Sequence, residues 1–366
     1  MASYKIACLP GDGVGPEVTA EGVKVLKVAQ ELSGAFSLEF ENLVAGANLY
    51  QTTGEVFPDA AYETCKKADA IFLGAMGLPQ VTYPDGTEVQ GSIIVRMRKE
   101  FNLFAGVRPI KLYPGVQSPL RNADKIDFVI LRESSEGMFA SFQAGAEVFD
   151  KVHVDSMVIT REGTEKVCEW AFKTSQQRNG RPSDGKKVVT CVDKSNNFKG
   201  MAFWRKIYNE IAAKYPDIGR DYSYVDAINI QLILHPQDYD VIVAENIYGD
   251  IISDMAGALV GSMGMCPSGD IGYDHGLFQP AHGSAPTLAG KNIVNPLATI
   301  LSGGMMLDWL GDKHNNQEMK KMAVLIESAV EKALLAGNKT TDIGGTTSTS
   351  AMGDSVVTAL KELCSK

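Results

Sequence analysis

The chain has 366 residues, 45% hydrophobic and 22% charged, with 36 glycines. That is globular composition, long enough for two domains of ~150 residues each. Acidic residues outnumber basic ones 44 to 35, a net charge of -9. This excludes the basic footprint of a nucleic-acid binder and the polybasic patch of an anionic-lipid binder, but not a local arginine cluster for a small anion.

Strand-like and helix-like runs alternate along most of the chain, the pattern of an α/β protein. Tyr4–Leu9 reads as a strand; Lys5 interrupts its apolar run, so it does not read as a signal peptide. A glycine-rich turn at 11–15 follows, then a helix with Val18, Val25, Ala29 and Leu32 on one face and Pro16 in its first turn. Phe36–Glu41 and Ala68–Gly74 are strands, the second nearly all apolar. Residues 77–92 form a long polar loop before a helix at Ile93–Phe101. Phe104–Val107 and Phe128–Arg132 are strands, and Phe139–Val158 alternates like an antiparallel hairpin or arm. Then come helices at Thr164–Gln177, Met201–Lys214 and Ile247–Leu259, and strands at Val188–Val192, Tyr222–Val225 and Tyr239–Ala244. From Gly261 to Pro296 the composition predicts mostly loop, and helices at Leu297–Leu310, Gln317–Leu335 and Asp354–Leu363 close the chain. No apolar run reaches the ~20 residues of a membrane span. Cys8, Cys65, Cys168, Cys191, Cys266 and Cys364 contain no C-x-x-C pair. They read as buried thiols, which favours a reducing, cytoplasmic compartment.

Several runs carry possible chemistry. Gly11-Asp12-Gly13-Val14-Gly15 suggests a dinucleotide loop, but its spacing is G-x-G-x-G and Pro16 removes an amide donor; a tight βα turn is the competing reading. Arg98, Arg108 and Arg132 fall near strand ends, where guanidinium groups could converge on a di- or tricarboxylate or simply form surface ion pairs. Asp250 and Asp254 are one turn apart on a helix, and Asp226 follows another strand. Such carboxylates suit Mg²⁺ or Mn²⁺, or cap helix dipoles. Lys194 follows a buried strand and is a general-base candidate or a solvated surface lysine. His282-Gly283-Ser284-Ala285-Pro286, with Asn292 and Asn295, is a small-residue surface that an adenosine could approach, or a structural turn.

Together these segments resemble the β-decarboxylating dehydrogenases, the isocitrate/isopropylmalate dehydrogenase family. The resemblance runs from LPGDGVGPEV at 9–18 through RKEFNLFAGVRP at 98–109, RESSEG at 132–137, VDKSN at 192–196, YVDA at 224–227, YGDIISD at 248–254, HGSAP at 282–286 and NIVNP at 292–296 to DIGGTTST at 342–349. It implies an isopropylmalate dehydrogenase-like α/β fold with a non-Rossmann dinucleotide site. A large cofactor domain would comprise 1–103 and 263–366, and a small dimerisation domain 104–262 with an interlocking arm at about 139–158. It implies a homodimer with shared sites, to which the partner lends Lys194 and Asp226. Arg98, Arg108 and Arg132 would bind the malate-like carboxylates, with Ser92, Ile94 and Val95 facing the substituent at carbon 3. Asp226, Asp250 and Asp254 would ligate Mg²⁺ or Mn²⁺. NAD, with NADP as the alternative, would lie on His282, Gly283, Ser284, Ala285, Pro286, Thr287, Asn292, Asn295 and Asp342. The implied reaction is oxidation of a 2-hydroxy acid, with Lys194 assisted by Asp226 as base, then loss of CO₂ from the β-position.

Two positions depart from the family pattern. Phe139 stands where the family usually has a tyrosine that donates the final proton, so turnover is expected to rely on Lys194, a water or solvent. A regulatory or ligand-sensing member with a weakened site is the rival reading. Thr287 stands where NAD-users usually carry Asp, which removes a charge that would repel a 2′-phosphate. The pattern around Lys99-Glu100-Phe101, Arg108-Pro109 and Pro114-Gly115-Val116 is somewhat closer to the D-malate and tartrate branch, while Ile94 and Val95 would suit the alkyl group of 3-isopropylmalate and Ser92 the third carboxylate of isocitrate, so all three substrate classes stay open. A relative of the hydroxythreonine-phosphate dehydrogenases would need three histidine metal ligands; His153, His235, His275, His282 and His314 show no such arrangement.

Overall fold

The computed structural model describes residues 2–365 except Asn122 and Asp124. Ten strands form one mixed sheet: β1 (Ala2–Gly11), β2 (Phe36–Asn42), β3 (Ala70–Ala75), β4 (Ala105–Lys111), β5 (Asp127–Glu133), β8 (Val188–Asp193), β9 (Gly219–Tyr224), β10 (Val241–Ala244), β11 (Pro267–Ile271) and β12 (Gly276–Pro280). Strands β6 (Ala146–Val148) and β7 (Val152–Val154) pair separately as a small antiparallel hairpin. The order across the large sheet is β2-β1-β3-β12-β11-β4-β5-β10-β8-β9. Both ends are parallel, and the centre, from β12 to β5, is antiparallel. Eleven helices occur among the described residues: α1 (Gly15–Ser33), α2 (Ala47–Thr53), α3 (Asp59–Lys67), α4 (Gly91–Glu100), α5 (Arg161–Gln177), α6 (Lys199–Ala212), α7 (Val225–Leu234), α8 (Asn246–Leu259), α9 (Leu297–Lys313), α10 (Gln317–Leu335) and α11 (Thr349–Cys364).

Strand alternation sorts side chains between two faces. One face carries Ile6, Cys8, Leu131, Cys191 and Val243 into a single core under α1, α5, α6, α9, α10 and α11. The other face has two separate apolar clusters. Leu9, Leu73 and Leu277 pack with Ile93 and Met97 of α4 and Cys65 of α3. Phe128, Ile130, Ile242 and Ala244 pack with Ile228 of α7 and Ile252 of α8. The strands between those clusters, β11 and β4, turn polar residues to the same face, and that is where the site lies.

Most predicted elements appear within a few residues of their expected bounds. The stretch 261–296 does not: it contains β11 and β12, the central antiparallel hairpin, rather than mostly loop. Pro267 and Pro280 sit at strand ends, where a missing N–H costs little. Leu32 is exposed, in the last turn of α1 before its Gly34 C-cap, rather than on the buried face. Short helices α2 and α3 were not expected. The arm forms only in part: Gly137 and Val158 exchange backbone hydrogen bonds at its base, a 3₁₀ turn spans Met138–Ser141, and pairing resumes in β6 and β7. All six cysteines are free, and all but Cys364 are buried. No described helix is long and apolar enough to cross a membrane.

Candidate active site

Cross-strand register builds the centre of the site. Asp270 on β11 pairs with Gly106 on β4, which pairs with Arg132 on β5. The three share one face, and because Gly106 has no side chain, Arg132 and Asp270 face each other across it; a Cβ there would lie 3.2 Å from Asp270 Oδ1 and 3.4 Å from Arg132 Cβ. Arg108, two residues along β4, shares that face. Arg98 enters from α4 and donates from Nη2 to Asp270 Oδ2 at 3.0 Å. From the opposite wall, α8 approaches closely because Gly249 leaves room for the Arg132 side chain. Asn246 Oδ1 accepts from Arg132 Nε at 2.8 Å, and Asp250 pairs with Arg132 Nη1.

The electrostatics follow from this crowding. Burial alone would raise the Asp270 carboxyl, but Arg98, Arg108 and Arg132 outweigh it and hold it below the usual carboxylate range. Burial, then the Arg98 guanidinium, lowers Arg132 to about 9, so it remains charged at neutral pH. Three buried cations with one buried anion leave spare positive charge. Arg98 Nε and Arg108 Nε are buried without a partner among the described residues. Unpaired buried donors of this kind call for an anion. Asp254, one turn beyond Asp250, is pushed up by burial and then by Asp250. Two mutually repelling carboxylates beside open solvent are hard oxygen donors that fit a divalent cation.

Lys194 and Asp226 lie at the same sheet end as Arg132, since Arg132, Ala244, Val192 and Ser223 align across β5, β10, β8 and β9. They pair with each other, Lys194 Nζ to Asp226 Oδ1 at 2.5 Å. The structure does not bring Asp226 to Asp250 and Asp254: among the described residues no three His, Cys, Asp or Glu side chains are placed to hold a metal. That also leaves the three-histidine reading without a site. Phe139 is half-buried over Arg132, its ring centroid 5.1 Å from the guanidinium carbon.

Ile94 shares the Arg98 face of α4, four residues away. Ser92 and Val95 instead line a separate cavity of about 250 Å³ with Phe57, Lys99, Phe142 and Gln143. The Ser92 hydroxyl there accepts from Tyr83 OH at 2.8 Å and Gln143 Nε2 at 3.1 Å.

The glycine turn at 11–15 is a structural hub rather than a phosphate cradle. The amides of Asp12, Val14 and Gly15 are taken by Ala75 O, Ser284 O and Asp12 O. The buried Asp12 carboxylate accepts from the amides of Ala47, Asn48 and Gly77. A Cβ on Gly13 would lie 2.0 Å from Ser284 O, which fixes that turn against the 282–286 loop.

That loop borders a cavity of about 460 Å³ lined by residues including Val14, His282, Gly283, Ala285, Leu288, Asn295 and Asp342. His282 Nδ1 lies 2.9 Å from Gly283 O, and its Nε2 is buried without a partner among the described residues. Burial pushes the imidazole down, favouring the neutral ring. Asp342 accepts from Ser262 Oγ at 2.6 Å and Asn295 Nδ2 at 3.1 Å. This apolar, small-residue cavity with an orphan imidazole nitrogen fits an adenosine. Ser284, Pro286, Thr287 and Asn292 do not line it. Ser284 is buried and donates to Gly77 O at 2.5 Å, while Asn292 ties the loop to Ser350 of α11. Pro286 and Thr287 are exposed in the adjoining 3₁₀ turn.

Sequence reasoning missed Asp270, Asn246 and Ser134, whose hydroxyl donates to Asp270 Oδ1 at 3.1 Å. Only strand register reveals Asp270, because its partners are remote in sequence. Asn246 had a local signal, lying between a buried strand and Asp250.

The sequence profile of the isocitrate/isopropylmalate dehydrogenases matches residues 5–356. A probable tartrate dehydrogenase/decarboxylase of Agrobacterium vitis is 39% identical over 98% of each chain. A decarboxylating D-malate dehydrogenase of Escherichia coli is 36% identical over 97% of this chain and 98% of its own. A solved isocitrate dehydrogenase of Methylococcus capsulatus superposes with a TM-score of 0.84 at 32% identity, covering 98% of this chain and 99% of that one. Relatives so named give no support to a regulatory reading. The cross-sheet arginine centre and the match along almost the whole chain lead to one conclusion: this oxidoreductase belongs to the isocitrate/isopropylmalate dehydrogenase family.

Proposed function

We propose that the enzyme catalyses NAD- and divalent-metal-dependent oxidative decarboxylation of a malate-type 2-hydroxy acid, with D-malate and tartrate the leading substrates. The observation that carries this reading is the excess positive charge around Asp270: three buried guanidiniums face one carboxylate, beside the Asp250–Asp254 pair. Arg98, Arg108 and Arg132 bind the substrate carboxylates. Asp250 and Asp254 hold Mg²⁺ or Mn²⁺, and Asp226 of a second copy completes the ligand set. The cation, when bound, supplies charge stabilisation for the alkoxide and the enolate. Lys194 of that copy, paired with Asp226, would take the substrate hydroxyl proton, and a bound nicotinamide would supply the hydride acceptor. The adenosine occupies the cavity beside His282 and Asp342; with Thr287 uncharged, NADP is the alternative cofactor.

Exposed apolar residues support the homodimer. Ile230, Ile233 and Leu234 of α7, Ile251 of α8, and Val148, Phe149 and Val152 of the arm lie open to solvent. A second copy covering them places Lys194 and Asp226 at the neighbouring site. Chain segments 1–103 and 263–366 then form the cofactor domain and 104–262 the dimerisation domain, in a cytoplasmic enzyme. The test is a screen of D-malate, tartrate, 3-isopropylmalate and isocitrate with Mn²⁺ and either dinucleotide, following reduced nicotinamide and the keto product. Turnover of D-malate or tartrate with NAD supports the reading; no turnover of any 2-hydroxy acid sinks it.

A further inference from the structure

Lys194 and Asp226 stand on different elements, yet Arg205 of a third element, α6, contacts residues adjoining both: Asp193 beside Lys194, and Tyr224 two residues before Asp226. Asp193, the last residue of β8, is fully buried. Its carboxylate accepts from Arg205 Nε at 2.5 Å and Nη2 at 3.0 Å, a two-point fork. Its Oδ1 also accepts the Ser195 amide at 2.8 Å. The residues on both sides of Lys194 are therefore tied to one carboxylate, and that carboxylate is held by Arg205 of α6. The same guanidinium carbon lies 5.1 Å from the Tyr222 ring and 5.4 Å from the Tyr224 ring. Tyr222 OH donates to Asn209 of α6 at 2.6 Å, which pins β9 to that helix. Tyr224 occupies the N-cap position of α7, two residues before Asp226, and Lys194 Nζ lies 5.7 Å from its ring.

We propose that Arg205 is a positioning residue for the Lys194–Asp226 pair. Through Asp193 it sets the turn that carries Lys194; through Tyr224 it sets the entry of the helix that carries Asp226. A planar fork can do both at once, whereas a lysine at this position keeps the charge but loses the second hydrogen bond and the ring stacking. The proposal rests on Lys194 acting as the base.

The test uses the full-length enzyme with its best substrate from the screen and compares four variants. Arg205→Lys retains the charge. Asp193→Asn with Arg205→Met removes both charges and leaves none buried alone. Arg161→Met breaks a different ion pair of α6, with Glu210, and serves as the stability control. Lys194→Met reports the base itself. Arg205→Lys and the double variant are expected to lose about 10- to 100-fold in kcat. KM and melting temperature stay at the wild-type values, and Arg161→Met keeps wild-type kcat. Wild-type kcat in Arg205→Lys, or kcat losses accompanied by a matching fall in melting temperature, overturns the positioning role. Wild-type kcat in Lys194→Met instead overturns the base assignment, so the two failures are distinguishable.

Discussion

The arginine centre and the Lys194–Asp226 pair carry opposite designs. Around Asp270 every participant is buried, each from a different element, and the partners are fixed by strand register. The Asp226 side chain, by contrast, is 65% exposed, and its one described ion pair is with Lys194. The first arrangement is complete within one chain but has too few anions; the second is a charged pair with open surface in front of it. Their difference teaches that the fold itself fixes the arginine cluster, whereas the Lys194–Asp226 pair is held at the rim; on the proposed reading the first binds substrate and the second serves a neighbouring copy.

Five substitutions, in four experiments, would break or sharpen that contrast. Lys194→Met should lower kcat about 1,000-fold with little change in KM, as measured by steady-state kinetics. Refolding it together with inactive Asp254→Asn should recover activity, since a mixed dimer holds one intact shared site. No recovery would place both halves of the chemistry in a single chain. Next in size, Asp270→Asn removes the buried charge that Arg98 pairs with and leaves Arg132 only its partly exposed partner Asp250, and should cost about 3 kcal/mol in denaturant unfolding. Its pH dependence has a definite sign. The folded Asp270 carboxyl is held below its unfolded value, so its contribution is present above the unfolded pKa of about 4 and is lost as pH falls through the lower folded value. The variant should lack that acid-side segment of the stability curve. Phe139→Tyr adds a hydroxyl over Arg132 and should raise kcat about tenfold, part of what a placed general acid contributes. Unchanged kcat would mean that proton donation from position 139 does not limit turnover. The smallest effect belongs to Thr287→Asp, which should raise the NAD over NADP preference in kcat/KM about fivefold, the worth of one exposed like-charge contact of about 1 kcal/mol.

Legibility in the sequence followed locality. Runs such as Val188–Val192 and Tyr239–Ala244 announce buried strands through apolar continuity, and Gln317–Leu335 shows its helical period over its full length. Arg98, Arg108, Arg132, Asp250 and Asp254 were readable because each sits in a distinctive local run. Strands β11 and β12 were not. PSGDI and GLFQP are short and rich in glycine and proline, and β11 also carries Asp270. They hold strand geometry because neighbours on both sides supply the hydrogen bonds and the arginines neutralise the charge. The surroundings of Ser284 and Asn292 were hidden for a related reason. Both have the chemistry of a ligand contact, but nearby Gly77 and Ser350 consume it.

The hairpin of β11 and β12 also dictates an order of assembly. It fills the space between β3 and β4, joining Ile71 to Leu277 and Val107 to Gly269. A nascent chain can pair β1, β2 and β3 early, but β3 and β4 keep open edges until residues 267–280 have been synthesised. Such sequence-distant pairings are slow to form and leave edges prone to intermolecular pairing meanwhile. The feature that brings Asp270 to its three arginines thus leaves two strand edges of the central sheet unpaired until late in synthesis.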